Sequence, residues 1–222
     1  MKHPGPLFTL LAGVALAGGI GIVNLATGTG AAPVAGAASA AGSTTAVPPP
    51  RTTTSEAPKP EAPARADYAG RVTGGGASVA VSVRDGHAIA YLCDGKKVEA
   101  WLQGVTTGGK LDLKGAKNAA LSGSFDATAA TGTVTASGKT WQFTAPTAKK
   151  PAGLYRAAPK VKGQQAKAGW IVLPDGSQVG ILAAGDDATA APPLDPAAGT
   201  ASVDGAPVTA EPISGLAGNG DF

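Results

Sequence analysis

Between residues 66 and 184 a glycine-bearing turn signal recurs about every ten residues, which limits each extended segment to a short strand. Asp85-Gly86, Asp94-Gly95, Gly108-Gly109, Lys114-Gly115, Ser137-Gly138 and Asp175-Gly176 punctuate stretches whose apolar residues alternate. In Ser78 to Arg84, for example, Val79, Val81 and Val83 share one face while Ala80, Ser82 and Arg84 share the other. Side chains in a strand point alternately to its two faces, so this pattern reads as a strand with a single apolar face. Asp-Gly tolerates the left-handed backbone that tight hairpins require, and strands joined this way become antiparallel neighbours. The spacing predicts an all-β domain, an antiparallel meander of about nine or ten short strands with no helix. Closing such a meander into an up-and-down barrel, or curling it strongly, removes its exposed edges. A β-sandwich is the alternative, with Lys149 to Gly169 as the one stretch long enough for a crossover.

The aromatic residues set the limits of this domain. Apart from Phe8 and Phe222, all of them lie between Tyr68 and Trp170. Residues 66–184 are therefore expected to form the β domain, with 1–26 as a signal anchor or signal peptide, 27–65 as a linker and 185–222 as a tail. With 33 Gly and 18 Pro in 222 residues, the chain has room for only one modest core. Leu7 to Ala26 is an uncharged segment interrupted only by the polar Thr9 and Asn24. Twenty residues rising about 1.5 Å each span about 30 Å, the thickness of a bilayer core. Lys2 stays in the cytoplasm by the positive-inside rule, so everything after the segment is exported. Small residues at Ala15-Leu16-Ala17 and Ala38-Ser39-Ala40 leave cleavage by a signal peptidase open, in which case the protein is secreted. The linker is rich in Ala, Pro and Thr, with no apolar periodicity, and is expected to be a disordered spacer.

Charge divides the remainder. Residues 66–184 carry 14 basic against 7 acidic residues, a surplus of seven, whereas 185–222 has Asp186, Asp187, Asp195, Asp204, Glu211 and Asp221 and no Lys or Arg. A basic module is drawn to anionic surfaces, and an acidic, Ala/Pro/Gly-rich tail is expected to be mostly disordered.

The sequence offers little reactive chemistry. Cys93 is the only cysteine, and His3 and His87 are the only histidines, so neither a disulfide nor a soft-ligand metal site is expected. His87 and Cys93 share a strand face but stand about 20 Å apart at about 3.3 Å per residue, too far for proton transfer. Ser137-Gly138-Lys139-Thr140 resembles the end of a phosphate-binding loop, but one residue too many separates Gly132 from Gly138. In Gly176-Ser177-Gln178-Val179-Gly180 the serine comes one position too early for a nucleophile elbow. Asp85, Asp94, Glu99, Asp112, Asp126 and Asp175 are scattered acids, three of them in turns, which keeps a hydrolase only as a third reading.

Trp101 departs from its surroundings. Val98, Ala100 and Leu102 form the apolar phase of its strand, and Trp101 shares the other phase with Glu99 and Gln103. A large aromatic on a polar face is the anatomy of a contact residue, unless the Lys149 to Gly169 segment covers it. Together with Lys96, Lys97, Lys110 and Lys114 it forms the candidate contact surface; no catalytic, cofactor-binding or metal residues are assigned, and no cofactor is expected.

At Tyr91-Leu92-Cys93-Asp94-Gly95, Gly153-Leu154-Tyr155-Arg156 and Gly169-Trp170-Ile171-Val172-Leu173-Pro174-Asp175-Gly176-Ser177 the chain resembles uncharacterised exported, membrane-anchored β-domain proteins of high-GC actinobacteria. The resemblance implies a cell-envelope location and transfers no functional residues. The expectation is a non-enzymatic envelope protein with a cytoplasmic N-terminus and an extracytoplasmic β domain. That domain would bind an envelope protein, an anionic glycan or a lipid, and not nucleic acid. The alternative is a carrier holding a small apolar ligand in the barrel lumen.

Overall fold

The computed structural model describes residues 62–215. The expected membrane segment, most of the linker and residues 216–222 lie outside that range. Among the described residues no helix is long and apolar enough to cross a membrane.

Eight strands follow one another as β1 (Arg65–Arg71), β2 (Ser78–Arg84), β3 (His87–Cys93), β4 (Glu99–Thr107), β5 (Lys110–Gly115), β6 (Ala120–Phe125), β7 (Ala129–Ala136) and β8 (Lys139–Pro146). They pair antiparallel in chain order, as expected of a meander. The first and last strands then meet at the bridges Tyr68–Thr147 and Val72–Phe143, so the sheet is nearly closed and barrel-like. Two backbone bonds reinforce the seam, from Thr73 N to Gln142 O and from Ala148 N to Asp67 O, each 2.7 Å.

The tight turns explain why the hairpins form where they do. Asp85 and Gly86 have φ of 50° and 86°, and Ser137 and Gly138 have 49° and 72°. Two consecutive left-handed residues give the turn the twist of the strands it joins. Asp94-Gly95 is built differently: one Asp94 carboxylate oxygen accepts the N–H groups of Lys96, Lys97 and Val98, which makes a longer loop in place of a tight turn.

Inside the barrel the alternating residues converge as the sequence predicts. Val79, Val81 and Val83 of β2 meet Leu102, Leu113, Leu121 and Phe143 in one buried cluster. Tyr68 is also fully buried there and donates its hydroxyl to the carbonyl of Asp126 at 2.6 Å.

The chain does not stop folding at residue 184. The strands β9 (Gly153–Ala157), β10 (Lys160–Val161), β11 (Gln164–Val172), β12 (Gln178–Ala184) and β13 (Asp187–Ala190) are followed by β14 (Leu194–Asp195), β15 (Thr200–Val203), β16 (Ala206–Thr209) and β17 (Glu211–Ile213). A second sheet has the order β13-β12-β11-β9-β17, with β10 on β11, and a small third sheet runs β14-β15-β16. The described strands thus number seventeen; twelve of them, β1 to β12, fall in the expected β domain, where nine or ten were expected. The expectation of a mostly disordered tail from 185 is corrected as far as residue 215. The tail folds because it brings its own apolar residues: Leu194, Ala201 and Ala210 pack on Tyr155, Trp170 and Val172 of the second sheet. Asp204-Gly205, with φ of 50° and 79°, turns β15 into β16.

The second sheet lies against the outside of β1 to β3. Ala69, Ala80, Tyr91 and Cys93 from the barrel meet Leu154, Ile171, Ile181 and Ile213. The last described residues lock this arrangement. Ser82 donates its hydroxyl to the carbonyl of Ile213 at 2.9 Å. Buried Asp67 accepts the hydroxyl of Ser214 and, at 2.7 Å, the N–H of Gly215. A Cβ at Gly215 would stand 1.8 Å from the carbonyl oxygen of Val83, so only glycine fits.

Replacing Asp67 with alanine leaves two buried donors without their acceptor, at a cost of about 1–3 kcal/mol. The urea midpoint of Asp67→Ala should fall with little change in slope, and an unchanged midpoint would show that the C-terminal strap is not held there.

Candidate functional site

The outer face of the barrel becomes more polar from β3 to β5. Tyr91 on β3 is fully buried, its cross-strand neighbour Trp101 on β4 is half-buried, and Lys114 on β5 is exposed. Gln103 and Lys114 are paired across β4 and β5, so both project from the same outer face as Trp101. On the second sheet, Arg156 is paired with Gly169 on one side and with Glu211 on the other, placing all three on one face. Leu154 and Ile171, which share that face by alternation, pack toward the barrel, and Lys167 belongs to it as well. A cleft of ≈ 810 Å³ opens between the two layers, with Trp101, Gln103 and Lys114 on the barrel wall and Arg156, Lys167 and Glu211 on the sheet wall.

Trp101 is held where the two layers touch beside this cleft. Its ring stacks on Tyr91, with centroids 4.3 Å apart and planes inclined by 32°. The Tyr91 hydroxyl donates to Glu99 Oε2 at 2.9 Å. Gly169 lies directly against both rings: a Cβ there would stand 2.7 Å from Trp101 Cζ2 and 2.8 Å from Tyr91 Cζ. Gly169, at the end of the Lys149 to Gly169 segment, thus covers one edge of the indole, while the ring also lines the cleft.

Burial raises the Glu99 carboxyl above the ordinary glutamate range, opposed by the Tyr91 hydrogen bond and by the positive charges of Lys167 and Lys117. Burial also raises the Tyr91 phenol, with further contributions from neighbouring Cys93 and Glu99. The Cys93 thiol is pushed up to about 11, chiefly by burial. It accepts the N–H of Gly95 at 3.2 Å and packs as a small apolar residue, while His87 sits exposed beside the β2–β3 turn.

Of the residues singled out from the sequence, Trp101 and Lys114 come together in the cleft. Lys96 and Lys97 sit in the loop organised by Asp94, and Lys110 lies four residues from Lys114 along β5, about 13 Å away at about 3.3 Å per residue. None of these three lines the cleft. Arg156, Lys167 and Glu211 were not among the candidates. The sequence signal for Lys167 was its place in the basic run Lys160, Lys162 and Lys167; Arg156 and Glu211 become neighbours only through the pairing of β9 with β17.

The scattered acids have structural partners. Asp85 binds Arg65 through two contacts of 3.1 and 2.5 Å, Asp112 pairs with Lys114 at 3.1 Å, and Asp175 accepts the N–H of Ser177 at 2.9 Å. Asp126 accepts the N–H groups of Thr128 and Ala129 at 2.8 and 3.1 Å. Among the described residues no three His, Cys, Asp or Glu side chains gather as a metal ligand set. No protein-family model, no curated protein and no solved structure matches this chain.

Two variants probe this geometry. Gly169→Ala forces both rings to move, costing about 1–3 kcal/mol of stability, and should shift the tryptophan emission; unchanged stability and emission would contradict the contact. Glu99 is a carboxyl with a raised folded-state pKa, so its ionisation opposes folding and stability falls as pH rises through that pKa. Glu99→Gln should therefore be more stable than wild type at neutral pH, with the difference disappearing below about pH 4, near the unfolded glutamate value. Denaturant midpoints measured across that range check the sign.

Proposed function

We propose that this chain is a membrane-tethered protein of the cell envelope whose extracytoplasmic β domain is a non-catalytic module that binds an anionic ligand in the cleft. The observation that carries this reading is the convergence of a half-buried tryptophan with Lys114, Arg156 and Lys167, contributed by both walls of one cleft. Against these three cations the lining holds one acid, Glu211, and Asp112 pairs with Lys114 from beside it. Like-signed charge on facing walls raises the local concentration of an oppositely charged ligand and speeds its capture. The aromatic supplies apolar contact area at low entropic cost.

Tethering and export rest on Leu7 to Ala26 with Lys2 before it, and on the likeness of the quoted strand and turn segments to exported actinobacterial proteins. Cleavage of the segment would give a secreted form of the same module. A non-catalytic role is favoured because the core acids already serve turns, ion pairs and the strap. The barrel interior is filled by its own side chains, so a ligand is assigned to the cleft and not to a lumen.

Isothermal titration of the full-length protein against carboxylated, phosphorylated and sulfated saccharides and anionic phospholipid vesicles tests the reading. The comparison is a Lys114→Glu/Lys167→Glu double variant, chosen because both side chains are exposed. One class of anion should bind the wild type, with affinity reduced at least about tenfold in the variant. Equal binding by the two proteins would remove the cleft as the site.

A further inference from the structure

Resting on the reading of the cleft as an anion site, we infer that its ligand is a short saccharide bearing a carboxylate, with a sugar ring laid on Trp101 and its acid group held from the Arg156 and Lys167 wall. Four features converge on this class.

The first is the platform. Trp101 is fixed by Tyr91 behind it and by Gly169 at its edge, so the ring lining the cleft is preorganised. The face of an aromatic ring carries negative partial charge, which attracts the polarised C–H groups on the flat side of a pyranose.

The second is the company of the cations. The guanidinium of Arg156 is planar, with five N–H donors in a fixed fork that matches a carboxylate and can serve a second acceptor at the same time. Glu211 stands opposite Arg156 across β9 and β17. Its carboxylate can accept sugar hydroxyls beside an acid group that Arg156 holds.

The third is the neutral hydrogen-bonding equipment. Gln103 on the barrel wall and Thr209 on the other side of the cleft both offer donors and acceptors to hydroxyl groups. A hydroxylated ring satisfies these groups as it displaces their water. A fatty acyl chain laid across the same surface would strip water from charged or polar groups on both walls without replacing it.

The fourth is size. A cleft of ≈ 810 Å³ falls within the range of about 300–1,000 Å³ typical of small-molecule sites, which suits a short oligosaccharide.

The test uses the full-length protein and four probes in isothermal titration: trigalacturonic acid, its neutral galactose counterpart, a phosphorylated monosaccharide, and phosphatidylglycerol vesicles. Trigalacturonic acid should bind, and the neutral sugar should bind at least about tenfold more weakly. Trp101→Ala should lose about tenfold in affinity while Trp101→Phe, which preserves a stacking ring, retains most of it. The exposed Lys167→Gln variant, which leaves the ring contacts in place, should weaken the acid without weakening the neutral sugar. Equal binding of acid and neutral sugars, or Trp101→Ala binding as well as wild type, would overturn the inference. A preference for the phosphorylated sugar or the vesicles would overturn the carboxylate assignment while leaving the anion site standing. Failure of every probe to bind would overturn both.

Discussion

Everything outside the barrel depends on what β1, β2 and β3 leave on their outer face. Ala69 and Ala80 are small enough to let a second sheet approach closely, and Tyr91 and Cys93 supply apolar bulk beside them. Strands of an antiparallel barrel usually present water-facing polar residues on the outside, but these three are buried on both sides. Ser82 shows how the polar exception is handled. It lies in phase with Ala80, is buried, and donates its hydroxyl to a backbone carbonyl of the covering layer. A buried hydroxyl without that acceptor would cost free energy, so the bond is a condition of the packing as well as a contribution to it.

The cleft is the complement of this contact. From Tyr91 to Trp101 to Lys114 the outer surface passes from fully buried to open, and the facing sheet changes in step from Ile171 through Gly169 to Lys167. The two layers stop touching where each becomes charged. Lys114 on one wall and Arg156 and Lys167 on the other are polar groups that favour contact with water over contact with the opposite layer. Glu99, under the influence of Lys167 and Lys117 while bonded to Tyr91, links these charges to the aromatic pair.

The sequence was most legible where information is local. Alternation in β2, the paired left-handed turns at Asp85-Gly86 and Ser137-Gly138, and the outward phase of Trp101 are each written within a few residues. Where chemistry depends on long-range pairing, composition misled. Residues beyond 184 are poor in large apolar groups and rich in Ala, Pro and Gly, yet Leu194, Ala201 and Ile213 suffice because they add to cores already begun by earlier strands. The same limit hid Arg156 and Glu211, which share a face only because β17 adds to the edge of β9. Trp101 and Lys114 lie on adjacent strands of one meander and were therefore recoverable together. Lys96, Lys97 and Lys110 resemble them only in charge, which carries no information about the end of a strand at which a side chain stands.

The latch between Asp67 and Ser214-Gly215 joins positions 147 and 148 residues apart in the chain. Hairpins between sequence neighbours form early, whereas a contact of such separation must wait for the chain that carries it. During synthesis the strands of the barrel can therefore assemble while β17, which bears Glu211 and Ile213, is still to come. The cleft is complete only once β17 has joined β9, and a polypeptide cut short by a dozen residues before Ile213 would keep its barrel strands, Arg156 and Lys167 while losing Thr209 and Glu211 from the lining.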